Sequence, residues 1–449
     1  MKQTLLQALR ILFLALLFVT SNPAEPRASL YDTFGDGARG TAMGNSLVAL
    51  STTYDAVYYN PANILARESN HFGIGLTGLV PKLRIDRVGS SEDDLAYKRP
   101  QANLGIQLGI SVPLGGIFEN KLGLALVLFH PLLRVTRVES IDPSVPYFYR
   151  FQSLPNKLIL SGAVAGKPWP WLRLGVGTQV LAELGGRITA GVSLSEHKVL
   201  SRTVDIDINA VAAPTAGVNI GPFHGLSLGM TWRGPLELRY RIPMTVDVQE
   251  IGILSFLADG VSLYTPAQIA LGLAWQSAPG KDIGWSAELG LTWEQWSGAP
   301  PAGALFELHL DDSHLTAEDE SAEEFVSSTL TPIPLEAQDT FTPRVGVEYR
   351  PHTNWAIRTG YFWRPTPLPL PVYEANTLDS PVHVVSVGVG YMFKDPTEIR
   401  KGPLVVDLSI QGTFLHNRTV TKVAGYAPEG VYRGSGTLWN FALDLRHNY

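Results

Sequence analysis

Along most of this chain, apolar side chains recur at every second position. Leu104, Ile106, Leu108, Ile110 and Val112 share one face of a segment, and Leu122, Leu124, Leu126 and Leu128 share that of the next. Further on come Leu226, Leu228, Met230 and Trp232, then Ile269, Leu271, Leu273 and Trp275, then Trp285, Ala287, Leu289, Leu291 and Trp293. The chain closes on Trp439, Phe441, Leu443, Leu445 and Tyr449. Similar segments start near Phe72, Leu158, Trp171, Ala210, Arg344, Trp355, Val382 and Leu404, making fourteen in all. Period two is the signature of a strand with one apolar face and one wet face.

The opposite faces carry Gly, Ser, Thr and charges, among them Gln107, Arg173, Gln179, Arg233, Glu288, Glu294, Arg358, Asp407 and Asp444. Each segment runs about ten residues and is often closed by Trp or Tyr, as expected of transmembrane β-strands with a lipid-facing belt. Closing such strands into a barrel leaves no unpaired edge in hydrocarbon. The gaps alternate between long (131–156, 185–209, 236–265, 297–342) and short (167–170, 221–225, 350–353). That alternation fits outer loops and periplasmic turns. The pattern predicts an all-β fold, a fourteen-stranded antiparallel transmembrane barrel over residues 71–449. A terminal aromatic, Tyr449, is expected to serve recognition by the barrel-assembly machinery.

Composition narrows the function. Charged residues make up 17% of the 449 residues, below the roughly 25% of soluble domains. The net charge of −6 and the lack of a basic stripe argue against a nucleic-acid partner. There are no cysteines, and the ten histidines show no metal-ligand spacing. Neither a metal, a cofactor nor an enzymatic residue set is indicated. Lys2 and Arg10 precede the apolar run Ile11–Val19 and a polar stretch, which predicts a secretory signal over 1–28, cleaved near 24–28.

Residues 29–70 do not alternate. Gly35–Gly40 spells G-x-G-x-x-G without the βαβ context a nucleotide site needs. A glycine-rich turn and a short helix over 41–50 are expected there. Fourteen strands enclose a lumen too wide for wall side chains to fill, so this segment is expected to plug it. The stretch GARGTAMGNSLVALSTTYDAVYYNPANIL, with Asn60-Pro61-Ala62 at its recognisable end, resembles the N-terminal hatch of FadL-type long-chain fatty acid transporters. That family also includes the TodX-type aromatic hydrocarbon channels. LALVLFHPLLRVTRV is similar to its third strand and loop entry, YTPAQIALGLAWQ to the strand pair after its fourth long loop, and PRVGVEYRPHTNWAIRTGYFWRPTPLP to its late strands.

The resemblance implies passive uptake of hydrophobic molecules, captured at outer loops, held inside the barrel and released sideways beside a kinked third strand. Candidate capture residues are Phe256 and Leu257, inside the apolar stretch Ile251–Tyr264. His130 and Pro131 either form the kink or simply end the strand. Val127, Phe129, Leu181 and Phe362 fall on the lumen face, where they line a greasy pocket or pack the hatch. Arg233 and Arg358 either hold a ligand carboxylate or join lumen charge networks. The acidic run Leu310–Glu324 reads as a solvated external helix. The leading function is a monomeric outer-membrane channel for fatty acids or aromatic hydrocarbons. The competing readings are a secretion-system carrier or anchor, a water-filled porin and a barrel phospholipase.

Overall fold

The computed structural model describes residues 35–89, 100–132, 145–152, 158–193, 198–248, 252–279, 281, 283–301, 304–311, 327–330, 332–396 and 402–448. The signal-like segment, most of the acidic run and Tyr449 lie outside these residues. In chain order the strands begin with β1 (His71–Arg87), β2 (Asn103–Pro113), β3 (Leu122–Pro131), β4 (Tyr147–Phe148), β5 (Ile159–Trp169), β6 (Leu172–Ser193) and β7 (Lys198–Phe223). There follow β8 (Leu226–Arg233), β9 (Leu236–Val248), β10 (Gly252–Thr265), β11 (Gln268–Gln276), β12 (Gly284–Glu294), β13 (Ala304–Asp311) and β14 (Ser327–Leu330). The last six are β15 (Thr340–His352), β16 (Trp355–Arg364), β17 (Thr377–Leu378), β18 (Val382–Lys394), β19 (Pro403–Thr421) and β20 (Val431–Asn448).

Setting aside β4, β9, β10, β13, β14 and β17, fourteen strands pair in sequence with antiparallel neighbours. The ring closes where β1 pairs with β20, from His71↔Asn448 to Arg87↔Tyr432. Each of the fourteen matches one alternating segment. The apolar members point out: Leu104, Leu108, Leu228, Leu273, Leu289, Phe441 and Leu443 are all exposed on the barrel exterior. Their polar neighbours Gln107, Glu288, Asp407 and Asp444 are buried in the lumen. Trp169 and Trp171 stack at 5.7 Å beside Phe223, placing an aromatic ledge at the level of the short turns.

Several strands outrun their predicted ten residues. The 22-residue β6 and 26-residue β7 stay paired from Leu172↔Ile220 to Ser193↔Lys198. At about 3.3 Å per residue β6 is about 70 Å long, far beyond a tilted crossing of an apolar band of roughly 25 Å. The expected loop 185–209 is therefore mostly strand. Both faces are wet above the bilayer, so the apolar alternation that marks the lower half fades. Likewise 236–265 is the hairpin β9–β10, which pairs with β13 on one side and runs parallel to β6 over Ile188↔Met244 to Val192↔Val248 on the other. The barrel rises into a crown of β-structure.

The segment before β1 fills the lumen. Helix α1 covers Gly37–Ala42, α2 Ala56–Tyr59, and a 3-10 turn Pro61–Leu65. The first helix lies upstream of the expected 41–50 because Gly44 (φ 61°) and Asn45 (φ 60°) adopt the left-handed conformation and end it. The chain then turns so that its amide groups meet the wall. Wall glycines admit the hatch backbone: a Cβ on Gly175 would strike Pro61 and Ala62, and one on Gly360 would strike Met43 and Gly44. A third helix, α3 (Tyr149–Gln152), with β4 and its parallel partner β17, closes over the β16–β20 and β1 wall.

Candidate functional site

Antiparallel register lines up the lumen-facing apolar residues of four adjacent strands. Phe129 of β3 lies opposite Ile159 of β5, Ile159 opposite Leu181 of β6, and Leu181 opposite Val211 of β7. In an antiparallel sheet, directly opposed residues share a face, so the four side chains form one transverse row. The hatch lies below it, with Met43, Leu47, Leu50, Tyr58 and Tyr59 in the same apolar cluster. Leu236 and Leu238 of β9 join that cluster, and Leu263 of β10 packs against it. The row is thus the seam between wall, hatch and outer hairpin. Val127, also on the lumen face, packs in a neighbouring cluster with Tyr54, Ile64 and Leu65 of the hatch.

Arg233 stands at the edge of this seam. Its Nε donates to Gln268 Oε1 at 3.0 Å, its Nη1 donates to the Tyr58 carbonyl at 3.0 Å, and its guanidinium lies 4.5 Å from the Tyr58 ring centre. Arg358 lies elsewhere, its Nε 2.6 Å from Glu348 Oε2 and its Nη1 2.5 Å from Asp407 Oδ1. Arg446 also pairs with Asp407. Arg39 of α1 reaches Glu348 at 3.1 Å, so an ionic ladder runs from hatch to wall through Glu348, Arg358, Asp407 and Arg446. Phe362 is apart from the row as well. It packs on the far wall with Val384, Leu415 and Leu438 under Phe148, Phe151 and Leu378. Phe256 and Leu257 lie in β10, half-buried, with Phe256 between Met244 and Leu308 in the crown sheet. The stretch expected on a solvent-facing loop is therefore an inner strand of the crown. Its apolar residues neither alternate nor run unbroken, Ser255, Asp259 and Ser262 interrupting them, so no strand period marks it.

His130 and Pro131 keep register with Ile106 and Gly105 of β2, and among the described residues β3 and β5 pair from Leu122↔Gly166 to Phe129↔Ile159. Asn60 is fully buried; its amide donates to the carbonyls of Val48 (2.8 Å) and Val218 (3.0 Å), and its oxygen accepts from Ala62 N (3.1 Å). Pro61 opens the 3-10 turn, where its missing N–H is harmless.

The strongest hatch contacts escaped the sequence. The Glu288 carboxylate of β12 accepts three consecutive amides, Val48 (2.6 Å), Ala49 (3.0 Å) and Leu50 (3.0 Å). Asp444 of β20 accepts from Ala38 N at 2.6 Å. Thr231 donates to the Tyr59 carbonyl and Ser386 to the Ala42 carbonyl. The lumen orientation of Glu288 and Asp444 was legible from alternation, but their partners, over 200 residues away, were not.

No protein-family model matches the chain. Alkane uptake protein A of Marinobacter nauticus is 24% identical over 450 residues, spanning 93% of this chain and 91% of that protein. Among solved structures, a Pseudomonas aeruginosa FadL homologue superposes with a TM-score of 0.59 at 14% identity, covering 94% of this chain and 99% of the other. The Pseudomonas putida toluene transporter TodX gives 0.54 at 15% identity over 93% and 99%. With its closed ring of fourteen strands and its hatch in the lumen, this chain has the fold of the FadL- and TodX-type channels for hydrophobic compounds.

Proposed function

We propose that the protein is an outer-membrane channel for passive uptake of long-chain aliphatic molecules, with fatty acids the first candidates. The transverse row Phe129–Ile159–Leu181–Val211 carries this reading. Hatch and hairpin side chains cover it here, and once they part it gives an alkyl chain a continuous apolar surface, each buried methylene contributing about 0.8 kcal/mol. In this reading Arg233, whose Nε and Nη1 donate to Gln268 and to the Tyr58 carbonyl, exchanges those neutral acceptors for an entering carboxylate. Arg358 is held by two carboxylates and has no part in it. Phe256 and Leu257 of β10 belong to the capture surface above the row, and Phe362 to the opposite wall of the lumen. Release is sideways, beside β3. Pro131, which ends β3 and cannot donate to a sheet ladder, supports that exit.

A second reading, uptake of neutral alkanes, is favoured by the relative described as an alkane uptake protein. Labelled palmitate and labelled hexadecane, supplied to cells lacking their own transporter, separate the two. Leu181→Asp is expected to lower uptake of the cargo at least tenfold. Arg233→Gln is expected to lower palmitate uptake and spare hexadecane. If folded wild-type protein in the membrane takes up neither, the channel reading falls and an anchor role takes its place.

A further inference from the structure

A separate cavity lies at the short-turn end of the barrel, on the far side of the hatch from the apolar row. It measures about 570 Å³ and lies between the hatch segments 49–52 and 65–69 and the lower ends of β5 to β8. Its charges are one-sided: Arg67, Lys167, Arg173 and Lys281 line it with Glu68 as the lone acid.

Arg173 distinguishes this cavity from a merely basic rim. It is only 9% exposed, and its Nη2 donates to the amide oxygen of Asn219 at 2.8 Å. Asn219 is itself fully buried and donates to the Ala49 carbonyl at 3.1 Å, so the guanidinium is held against the hatch by a neutral relay. Among the described residues no carboxylate pairs with Arg173. Buried Arg150, Arg358, Arg364 and Arg446 each pair with an acid. A guanidinium buried among neutral groups is costly, and an anion entering the cavity relieves that cost. Its planar fork matches the two oxygens of a carboxylate or phosphate.

The cavity's size and remaining walls say more. It is far larger than a bare ion requires, a water occupying about 30 Å³. Leu50, Leu65 and Pro222 give it apolar surface next to the cations. Pro170 lies between the stacked Trp169 and Trp171, and Pro222 precedes Phe223, so the rim stands at the aromatic ledge. That ledge marks the headgroup level of the adjoining leaflet.

We propose that this cavity is an anion site for the oxyanion of an amphiphile, a carboxylate or phosphate gripped by Arg173, with Lys167 and Lys281 at the rim. The site is independent of the cargo row. The oxyanion belongs to a free fatty acid or to a phospholipid headgroup, and the test separates these sources. The purified full-length protein, exchanged into a neutral detergent, is titrated calorimetrically with octanoate, dioctanoyl-phosphatidylglycerol, dioctanoyl-phosphatidylcholine and inorganic phosphate. One or both anionic amphiphiles are expected to bind at least tenfold more tightly than the choline lipid and than phosphate. Octanoate alone identifies a free carboxylate as the source, and the glycerol lipid alone a headgroup. Arg173→Gln is expected to weaken binding at least tenfold. Should that variant fail to fold, Lys167→Gln/Lys281→Gln, altered at the open rim, is expected to weaken it at least threefold and to reduce its salt dependence. Heat-shifted gel mobility confirms the barrel in each variant. Equal binding of all four probes, a preference for phosphate alone, or undiminished binding by the folded variants overturns the proposal.

Discussion

Glu288→Gln tests how firmly the hatch is held. In the wild type one carboxylate oxygen accepts the Val48 amide and the other accepts Ala49 and Leu50, in a fully buried setting. Glutamine keeps the shape but turns one oxygen into an NH₂ donor. Whichever way that amide is oriented, a buried N–H of the hatch meets another donor. An orphaned buried donor costs about 1–3 kcal/mol, and the surviving bonds lose their charge assistance. A net loss of about 2 kcal/mol in hatch docking corresponds to roughly thirtyfold in the opening equilibrium. Hydrogen exchange read by mass spectrometry on peptides covering 46–51 should therefore quicken about thirtyfold. Peptides of β6 and β7 should not change. Glu288→Ala orphans all three amides and should go further, with stepwise ion conductance in planar bilayers. Unchanged protection at 48–50 in a folded Glu288→Gln protein would refute the idea that this carboxylate anchors the hatch.

Three further tests follow from the same contacts. Arg358→Met removes the cation between Glu348 and Asp407 and should destabilise the barrel by about 3–5 kcal/mol, read as a lowered midpoint of thermal unfolding in detergent. Gly360→Val drives a side chain into the backbone at Met43 and Gly44, so peptides over 41–46 should lose exchange protection while the strand pattern in circular dichroism persists. Burial, reinforced by the nearby Asp55 carboxylate, raises the Asp36 carboxyl of the hatch well above its ordinary 3.8. Because the folded value exceeds the unfolded one, the stabilisation is full below 3.8 and declines as pH rises through the folded value. Thermal unfolding of the wild type should accordingly shift downward from pH 4 to pH 8, and Asp36→Asn should flatten that dependence.

Alternation alone determined where fourteen strands cross the bilayer and which side chains face lipid. Hydrocarbon on one side and a polar lumen on the other select residues at period two, with no help from distant chain. The hatch was legible for the converse reason: residues 35–70 break the period and carry Asn60-Pro61-Ala62. Tertiary structure decided everything that depends on register across the ring. Phe129, Ile159, Leu181 and Val211 become one row only when strands pair, and Phe362, on the same kind of face, ends up on the opposite wall. The two lumen arginines looked alike in sequence, yet Arg358 sits between two carboxylates and Arg233 over a hatch tyrosine. Above the membrane both faces of a strand are wet, the selection that writes the pattern disappears, and the crown of β9, β10 and β13 could be seen only once folded. Charge partnership follows the same logic. A carboxylate such as Glu288 advertises its face through its neighbours, but the three amides it holds lie on a segment that only closure of the barrel brings to it.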